Sequence, residues 1–379
     1  MFDEKKLPEI ALTYLKYGTS LLCTWPPSTR ATKSEKLSID AMWWLLCILA
    51  WCLVLPVLYT AYLTRGNFME FTKNICFGAS IAHGIIKMII CKYQRKKYQK
   101  LLEEIENYLL HATPREREVL NGCVKRAAPV YLSFNITGFV AAASYVWGPL
   151  VLDQDLPMDV VYPFEIHYYP VFQIVYTFQA ISTMQCAAVG PLDAQVCMLF
   201  WFTIARLKLL AHDVKSIASV GDLNACVRVH QSILRFNEQA CDVARPIIMT
   251  TLLMATLSIA FGAMHVIGHE PFEVKAQFVG LDIGYGAQLY LSAWAAENLM
   301  TAMENLKWAL YDSSWSENSK SLSRSFLFVL QKLNKIPTVS VGGFIPELSL
   351  NYYAVYLSKT MSFFTTLRIM LQKMEEEKR

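Results

Sequence analysis

The stretch GGFIPELSLNYYAVYLSKTMSFFTTLRIML, residues 342–371, determines the class of fold. A helix rises about 1.5 Å per residue, so roughly 20 apolar residues cross a bilayer, and this run is long enough. Small polar side chains recur at helical spacing in this run, which predicts a helix with one partly polar face and an apolar remainder. That face consists of Asn351, Val355, Ser358, Ser362, Thr365, Thr366 and Ile369.

A partly polar face on a membrane helix must meet another helix or water, because lipid cannot satisfy its hydrogen bonds. Two interpretations are therefore open. The face packs against neighbouring helices, which is the commoner case for one isolated span, or it lines a pore. The rest of the chain has to decide between them.

Composition places the chain among integral membrane proteins. Of its 379 residues, 54% are hydrophobic and 17% are charged, against about a quarter charged in soluble domains. Ten cysteines occur singly without paired spacing, which indicates neither a disulfide framework nor a zinc site. Met1 opens onto polar residues, so we expect no cleavable signal peptide. A net charge of +4 gives no indication of nucleic-acid binding.

Hydropathy predicts an all-α polytopic fold with seven transmembrane helices, several of them extended into polar helical segments. The predicted spans cover about 41–63, 71–91, 127–152, 170–205, 246–267, 276–300 and 342–371. A short apolar helix is expected at 322–333. The predicted regions are a cytoplasmic N-terminal segment 1–40, helices one to six within 41–306, a cytoplasmic anchor 307–341, the seventh helix 342–371 and an extracellular tail 372–379.

The distribution of basic residues predicts the orientation. The N-terminal segment and the loops on its side hold 26 Lys and Arg residues. The loops on the other side and the C-terminal tail hold six, counting Lys73 at the edge of the second span. Cytoplasmic segments are the basic ones, so the N-terminus is predicted inside and the C-terminus outside. This orientation, together with the lack of an Asp-Arg-Tyr sequence after the third span, excludes a G-protein-coupled receptor.

Several segments resemble the insect odorant receptor family. They are WPP at 25–27, HQSILRFNEQACDVARPI at 230–247, YLSAWAAENLMTAMENLKWALYDSSW at 290–315, KIPTVSVGGF at 335–344 and YLSKTMSFFTTLR at 356–368. The family's Cys-Trp-Phe-Gly pattern is replaced by Ala-Trp-Ala-Ala at 293–296. The chain also lacks the long loop insertion of the family's shared co-receptor, so it is similar to the ligand-tuning subunits.

This resemblance implies a ligand-gated, non-selective cation channel for olfaction, multi-pass in the plasma membrane of a sensory neuron dendrite. Family members are tetramers whose seventh helices surround the pore, and a tuning subunit is expected to form a heterotetramer with the co-receptor. The resemblance therefore favours the pore interpretation. The family's hydrophobic gate aligns at about Thr366, where a threonine implies a weaker dewetting barrier.

Odorants of the family bind in the outer half of the helix bundle. Aromatic rings beside small residues leave room for a small volatile molecule, with tyrosine hydroxyls as polar groups. The candidates are Phe71, Ile75 and Gly78 on the second span; Gly138, Ala142 and Tyr145 on the third; Phe172 and Tyr176 on the fourth; and Phe278, Asp282 and Tyr285 on the sixth. For each aromatic residue alone, ordinary packing is the commoner role. Asp282 is either functional or simply hydrated near the outer end of its span.

Two other classes of function stay open. One is a gustatory receptor-like channel that forms homotetramers. The other is a small-molecule transporter, although the sequence has no inverted repeat. No carboxylate pair, phosphate-binding loop, nucleophile motif or metal spacing indicates an enzyme or a cofactor.

Overall fold

Long helices dominate the computed structural model, which describes residues 6–29, 31–150, 155–166, 168–268, 271–313, 320–333, 338–340 and 345–376. Within these ranges the helices are α1 (Leu7–Gly18), α2 (Lys33–Leu63), α3 (Phe68–His111), α4 (Pro114–Val146), α5 (Val171–Asp213), α6 (Val220–Ile267), α7 (Phe272–Tyr311), α8 (Lys320–Leu333) and α9 (Leu350–Glu376). The predicted all-α class is confirmed.

Three helices that start from the predicted cytoplasmic side, α2, α4 and α6, begin with the same local device. In each, the side-chain hydroxyl of the N-cap residue accepts a hydrogen bond from the backbone three residues later. The acidic residue at that position accepts one in return, so two free N–H groups are satisfied. The pairs are Thr32 with Glu35, Thr113 with Glu116 and Ser219 with Asp222.

The polar stretches after several spans continue the same helices, as the sequence predicted. α3 is one helix of 44 residues, or about 66 Å, whereas the hydrocarbon core of a bilayer is about 30 Å thick. More than half of α3 therefore lies beyond that core. α6, with 48 residues, is extended in the same way.

α5 is the central helix of the bundle. It packs against α4, α6 and α7, and also against α2 and α3. Nearly every residue from Ala188 to Ala205 is buried, and this stretch is apolar on almost all sides. A helix that is hydrophobic all round belongs in a protein interior, so the sequence of α5 explains its position.

Five helices, α2 to α6, are long and apolar enough to cross a membrane in the described part of the chain. α7 and α9 complete the seven long helices but carry more polar side chains, including Asp282 in α7 and the polar face of α9. The count of seven spans and their orientation therefore stay predictions.

The helices differ from the expected ones most clearly in three places. The third span was predicted to reach Leu152, but α4 ends at Val146 and a short 3-10 turn, Gly148–Leu150, follows. The last helix was predicted from Gly342, which lies outside the described residues, and α9 begins only at Leu350, after Pro346. α1 was missed because its segment appeared only as mixed polar sequence.

Candidate functional site

The predicted site residues of α7 lie on one face of that helix. Phe278, Asp282 and Tyr285 follow at intervals of four and three, and this face packs between α3 and α6. Phe278 is fully buried. Its ring stacks on His265 of α6, with centroids 4.1 Å apart, and on Phe77 of α3 at 5.7 Å. Phe278 thus joins three helices through an aromatic stack.

Asp282 is held by α6. Ser258 donates a hydrogen bond of 2.6 Å to Oδ1 of Asp282. One turn further along α6, Gly262 leaves space for the carboxylate, because a Cβ at Gly262 would lie only 2.6 Å from Oδ2. The two α6 positions are therefore fitted to this acid, which favours a specific role over simple hydration at the end of the span.

Tyr285 lies further along the same face of α7 and is 7% exposed. Its ring is 5.6 Å from that of His83 on α3. It belongs to a small apolar cluster with Met254 and Ala255 of α6, against which Leu257, Leu281, Ala79 and Tyr356 also pack. Because Tyr356 is part of α9, this cluster joins a predicted pocket residue to the predicted pore helix.

The three predicted residues of α3 differ in how deeply they are buried. Phe71 and Ile75 are half-buried. Gly78 is buried against α2, where an added Cβ would lie 3.3 Å from Val57. The α3 side chains with ring contacts to α7 are Phe77 and His83, which sequence reasoning did not select.

The predicted residues of α4 and α5 form a second group. The Tyr176 hydroxyl donates to the backbone oxygen of Val146 at 2.7 Å, which fastens the start of α5 to the end of α4. The ring centroids of Phe172 and Tyr176 are 6.3 Å apart. Ala142 is buried and Tyr145 is half-buried, while the space beside the Cα of Gly138 is open.

All seven predicted pore residues are exposed. α9 contacts α6 and α7 through its other side, where Tyr353 meets Tyr290 and Tyr356 meets Thr256. Its first residue, Leu350, donates its backbone N–H to Glu297 of α7 at 3.0 Å. α9 is thus anchored on the outside of the bundle with its polar face open.

The two threonines of this face use their hydroxyl hydrogens within α9. Thr365 donates to the backbone oxygen of Met361 and Thr366 to that of Ser362, both at 2.9 Å. A hydroxyl that already donates to its own helix attracts water less strongly. The hydroxyl hydrogens of Thr365 and Thr366 are therefore already used within the helix on this open face.

A buried ion pair lies further along α3, and sequence reasoning missed it. Lys87 is completely buried and its Nζ lies 2.6 Å from Oδ1 of Asp193 on α5. The second carboxylate oxygen of Asp193 has no partner, nor does Nε2 of His83, one turn before Lys87. The signal was available, because both charges interrupt apolar runs and ionisable residues within a membrane segment are rare.

The sequence matches the 7tm Odorant receptor family over residues 67–360. It is 22% identical to odorant receptor 9a of Drosophila melanogaster, covering 81% of this chain and 83% of that protein. It is also 22% identical to odorant receptor 47b of the same species, covering 90% of this chain and 87% of that protein.

The fold is similar to the structure of the insect olfactory receptor OR5 from Machilis hrabei, with a TM-score of 0.80 at 16% identity. The match covers 96% of this chain and 99% of OR5. The structure of OR5 in complex with eugenol gives a TM-score of 0.79 at 16% identity, covering 97% of this chain and all of OR5.

Proposed function

Since the chain belongs to the 7tm Odorant receptor family, we propose that it is the odorant-binding subunit of a ligand-gated, non-selective cation channel. Family membership makes it an odorant receptor in a membrane rather than an enzyme. Channel activity, assembly with a co-receptor and location in the plasma membrane of a sensory dendrite are parts of the proposal.

The orientation proposed is N-terminus inside and C-terminus outside. The excess of Lys and Arg on the N-terminal side supports it. The capping boxes of α2, α4 and α6 suit water, which lies on both sides of a membrane, so the distribution of basic residues alone supports the orientation.

The proposed ligand is a small volatile molecule that occupies the outer half of the bundle. The candidate walls on α7 are the rings of Phe278 and Tyr285, with Asp282 between them in sequence. Both rings are packed against α3 and Phe278 also against α6, so a ligand has to displace part of this aromatic packing. Apolar and aromatic walls with few polar groups are typical of sites for such molecules. The eugenol complex of OR5 makes an aromatic volatile a reasonable first compound to test.

The cluster around Tyr285 is the observation that carries the mechanism. Tyr285 of the proposed pocket forms this cluster with Met254 and Ala255 of α6, and Tyr356 of α9 packs against the cluster. A ligand that fits better when this cluster is rearranged shifts the population towards the state in which α9 has moved. The open polar face of α9 is then available to line a pore together with the co-receptor.

The test is voltage clamp of cells that express this chain with an odorant receptor co-receptor, exposed to a panel of volatile compounds. We expect odorant-evoked cation current from the pair and little from this chain alone. Robust current without a partner favours the homotetrameric alternative. Stoichiometric substrate flux without channel events favours a transporter.

Substitution Tyr285→Ala is expected to raise the odorant concentration for half-maximal current by about tenfold, because about 1.4 kcal/mol of aromatic contact is lost. Tyr145→Ala is also expected to raise the odorant concentration for half-maximal current. Tyr93→Ala is the control, since Tyr93 is 92% exposed on α3. Dose–response curves that are unchanged for both Tyr145→Ala and Tyr285→Ala refute the pocket assignment.

A further inference from the structure

A cleft lies between the halves of α4 and α7 that the proposed orientation places outward. Both helices pack along α5 but make few contacts with each other, so α5 forms the floor of the space between them. At its inner end the Tyr131 hydroxyl of α4 donates to the backbone oxygen of Leu291 of α7 at 3.1 Å. Further out, a Cβ added at Gly138 of α4 or at Gly284 of α7 would meet no described atom of a neighbouring helix within 4 Å.

Two amide side chains lie at the inner end of this cleft. Consecutive long helices of the bundle alternate in direction, so one turn outward from the contact of Tyr131 with Leu291 come Asn135 on α4 and Gln288 on α7. Asn135 is 1% exposed, and neither its Nδ2 nor its Oδ1 has a hydrogen-bond partner among the described residues. Oε1 of Gln288 is also buried without a described partner. Asn135 shares one face of α4 with Gly138 of the predicted pocket.

The amide of Asn135 is fitted against α5. A Cβ at Gly190 of α5 would lie 2.7 Å from Oδ1 of Asn135 and 3.3 Å from the ring of Phe134, so only glycine leaves room for the amide there. A buried amide that is held in place without hydrogen bonds is unfavourable, whereas a leucine of similar volume avoids this cost. Packing alone therefore does not account for an asparagine at this position, and a ligand that bonds to it does.

The unpaired groups of the two amides select a hydroxyl. The amide nitrogen of Asn135 donates hydrogen bonds and the amide oxygens accept them, while a hydroxyl both accepts and donates. A ketone or an ether only accepts, and a hydrocarbon does neither. A charged amine or carboxylate brings a large desolvation cost into the membrane interior. Water offers the same hydrogen bonds as a hydroxyl, but it does not fill the apolar remainder of the cleft as the body of an odorant does.

We infer that Asn135 and Gln288 determine the specificity of the proposed odorant pocket, which prefers volatile alcohols and phenols to their hydrocarbon analogues. This inference rests on the proposed function and names its class of ligand. The apolar body of the odorant lies beside Gly138 and Gly284, and its hydroxyl reaches inward to the two amides. A site built to bond a hydroxyl rejects the analogue without one, because its own polar groups are then left unpaired.

The test compares matched compounds on the full-length receptor expressed with its co-receptor. The aromatic probes are para-ethylphenol, para-ethylanisole and para-ethyltoluene, which offer a hydroxyl, an acceptor alone and neither. Octanol and nonane form the aliphatic pair. In at least one series we expect half-maximal current from the hydroxyl compound at a concentration at least about tenfold below that of its hydrocarbon. The anisole is expected to lie between the phenol and the toluene.

Three variants make the result specific. Asn135→Leu keeps the volume and removes the donor and the acceptor, so it should raise the half-maximal concentration of the hydroxyl compound about tenfold and leave that of the hydrocarbon unchanged. Gln288→Met removes one acceptor and should reduce the preference several-fold. Thr137→Val should leave the preference unchanged, because Thr137 is exposed on the opposite face of α4 and its hydroxyl donates within that helix.

Equal potency of hydroxyl compound and hydrocarbon in both series overturns the inference, as does a preference that survives both Asn135→Leu and Gln288→Met. An equal loss of potency for both kinds of compound in Asn135→Leu also overturns it, since the asparagine then serves packing.

Thermal stabilisation of the purified complex by the same compounds gives a second measurement that needs no current. Selective stabilisation by the hydroxyl compounds without current supports the hydroxyl site and contradicts the proposed channel activity. Neither current nor stabilisation with any compound overturns the inference.

Discussion

Lys87→Met is expected to destabilise the protein by about 3–5 kcal/mol, because it leaves the buried carboxylate of Asp193 without its cation. Asp193→Leu should cost a similar amount by leaving the fully buried ammonium of Lys87 unpaired. The double variant Lys87→Met/Asp193→Leu removes both charges and should recover most of the loss, since apolar replacements of buried ion pairs are often neutral.

The measurement is the amount of monodisperse receptor at the cell surface and its thermal stability after purification. Lys97→Met is the matched control, because this lysine lies on the same helix but is exposed. Its expected effect is within about 0.5 kcal/mol. A double variant as unstable as the two single variants contradicts the account, since it shows that the charges act separately.

Ser362→Cys is expected to make the odorant-evoked current sensitive to a positively charged thiol reagent applied from outside. Ser362 is exposed on the open face of α9, so a bulky cation attached there should obstruct the proposed pore. The current of the modified channel should fall several-fold, because the added charge also repels the permeating cations.

Thr360→Cys is the matched control, since Thr360 lies two residues away on the other side of α9 and is half-buried. The wild-type chain, with its ten cysteines, gives the baseline for reagent effects elsewhere. The pore assignment is wrong if Ser362→Cys behaves like wild type, or if both cysteine variants lose current to the same extent.

The sequence predicted the architecture well because each feature has a local cause. Apolar runs predicted the long helices, and charged amphipathic stretches predicted their continuation, as α3 shows from Phe68 to His111. The face of α9 was predicted from spacing alone, and its seven residues are all exposed. Their role in a pore still depends on partner subunits that one chain does not contain.

Long-range contacts were harder to predict. Phe77 and His83, rather than the selected residues of α3, make ring contacts with α7. A helix that is buried on several sides has apolar residues on several faces, so its sequence does not show which face meets α7. Asp282 was recognised as an intramembrane acid. The same rule applies to Lys87 and Asp193, but their pairing joins residues 106 positions apart, which spacing along one helix cannot reveal.

The direction in which the chain crosses the membrane underlies both the pocket assignment and the pore assignment. An epitope placed after Arg379 measures it most directly. We predict that antibody labels this epitope on intact cells, while an epitope before Met1 is labelled only after permeabilisation. Labelling of the C-terminal epitope only in permeabilised cells contradicts the account.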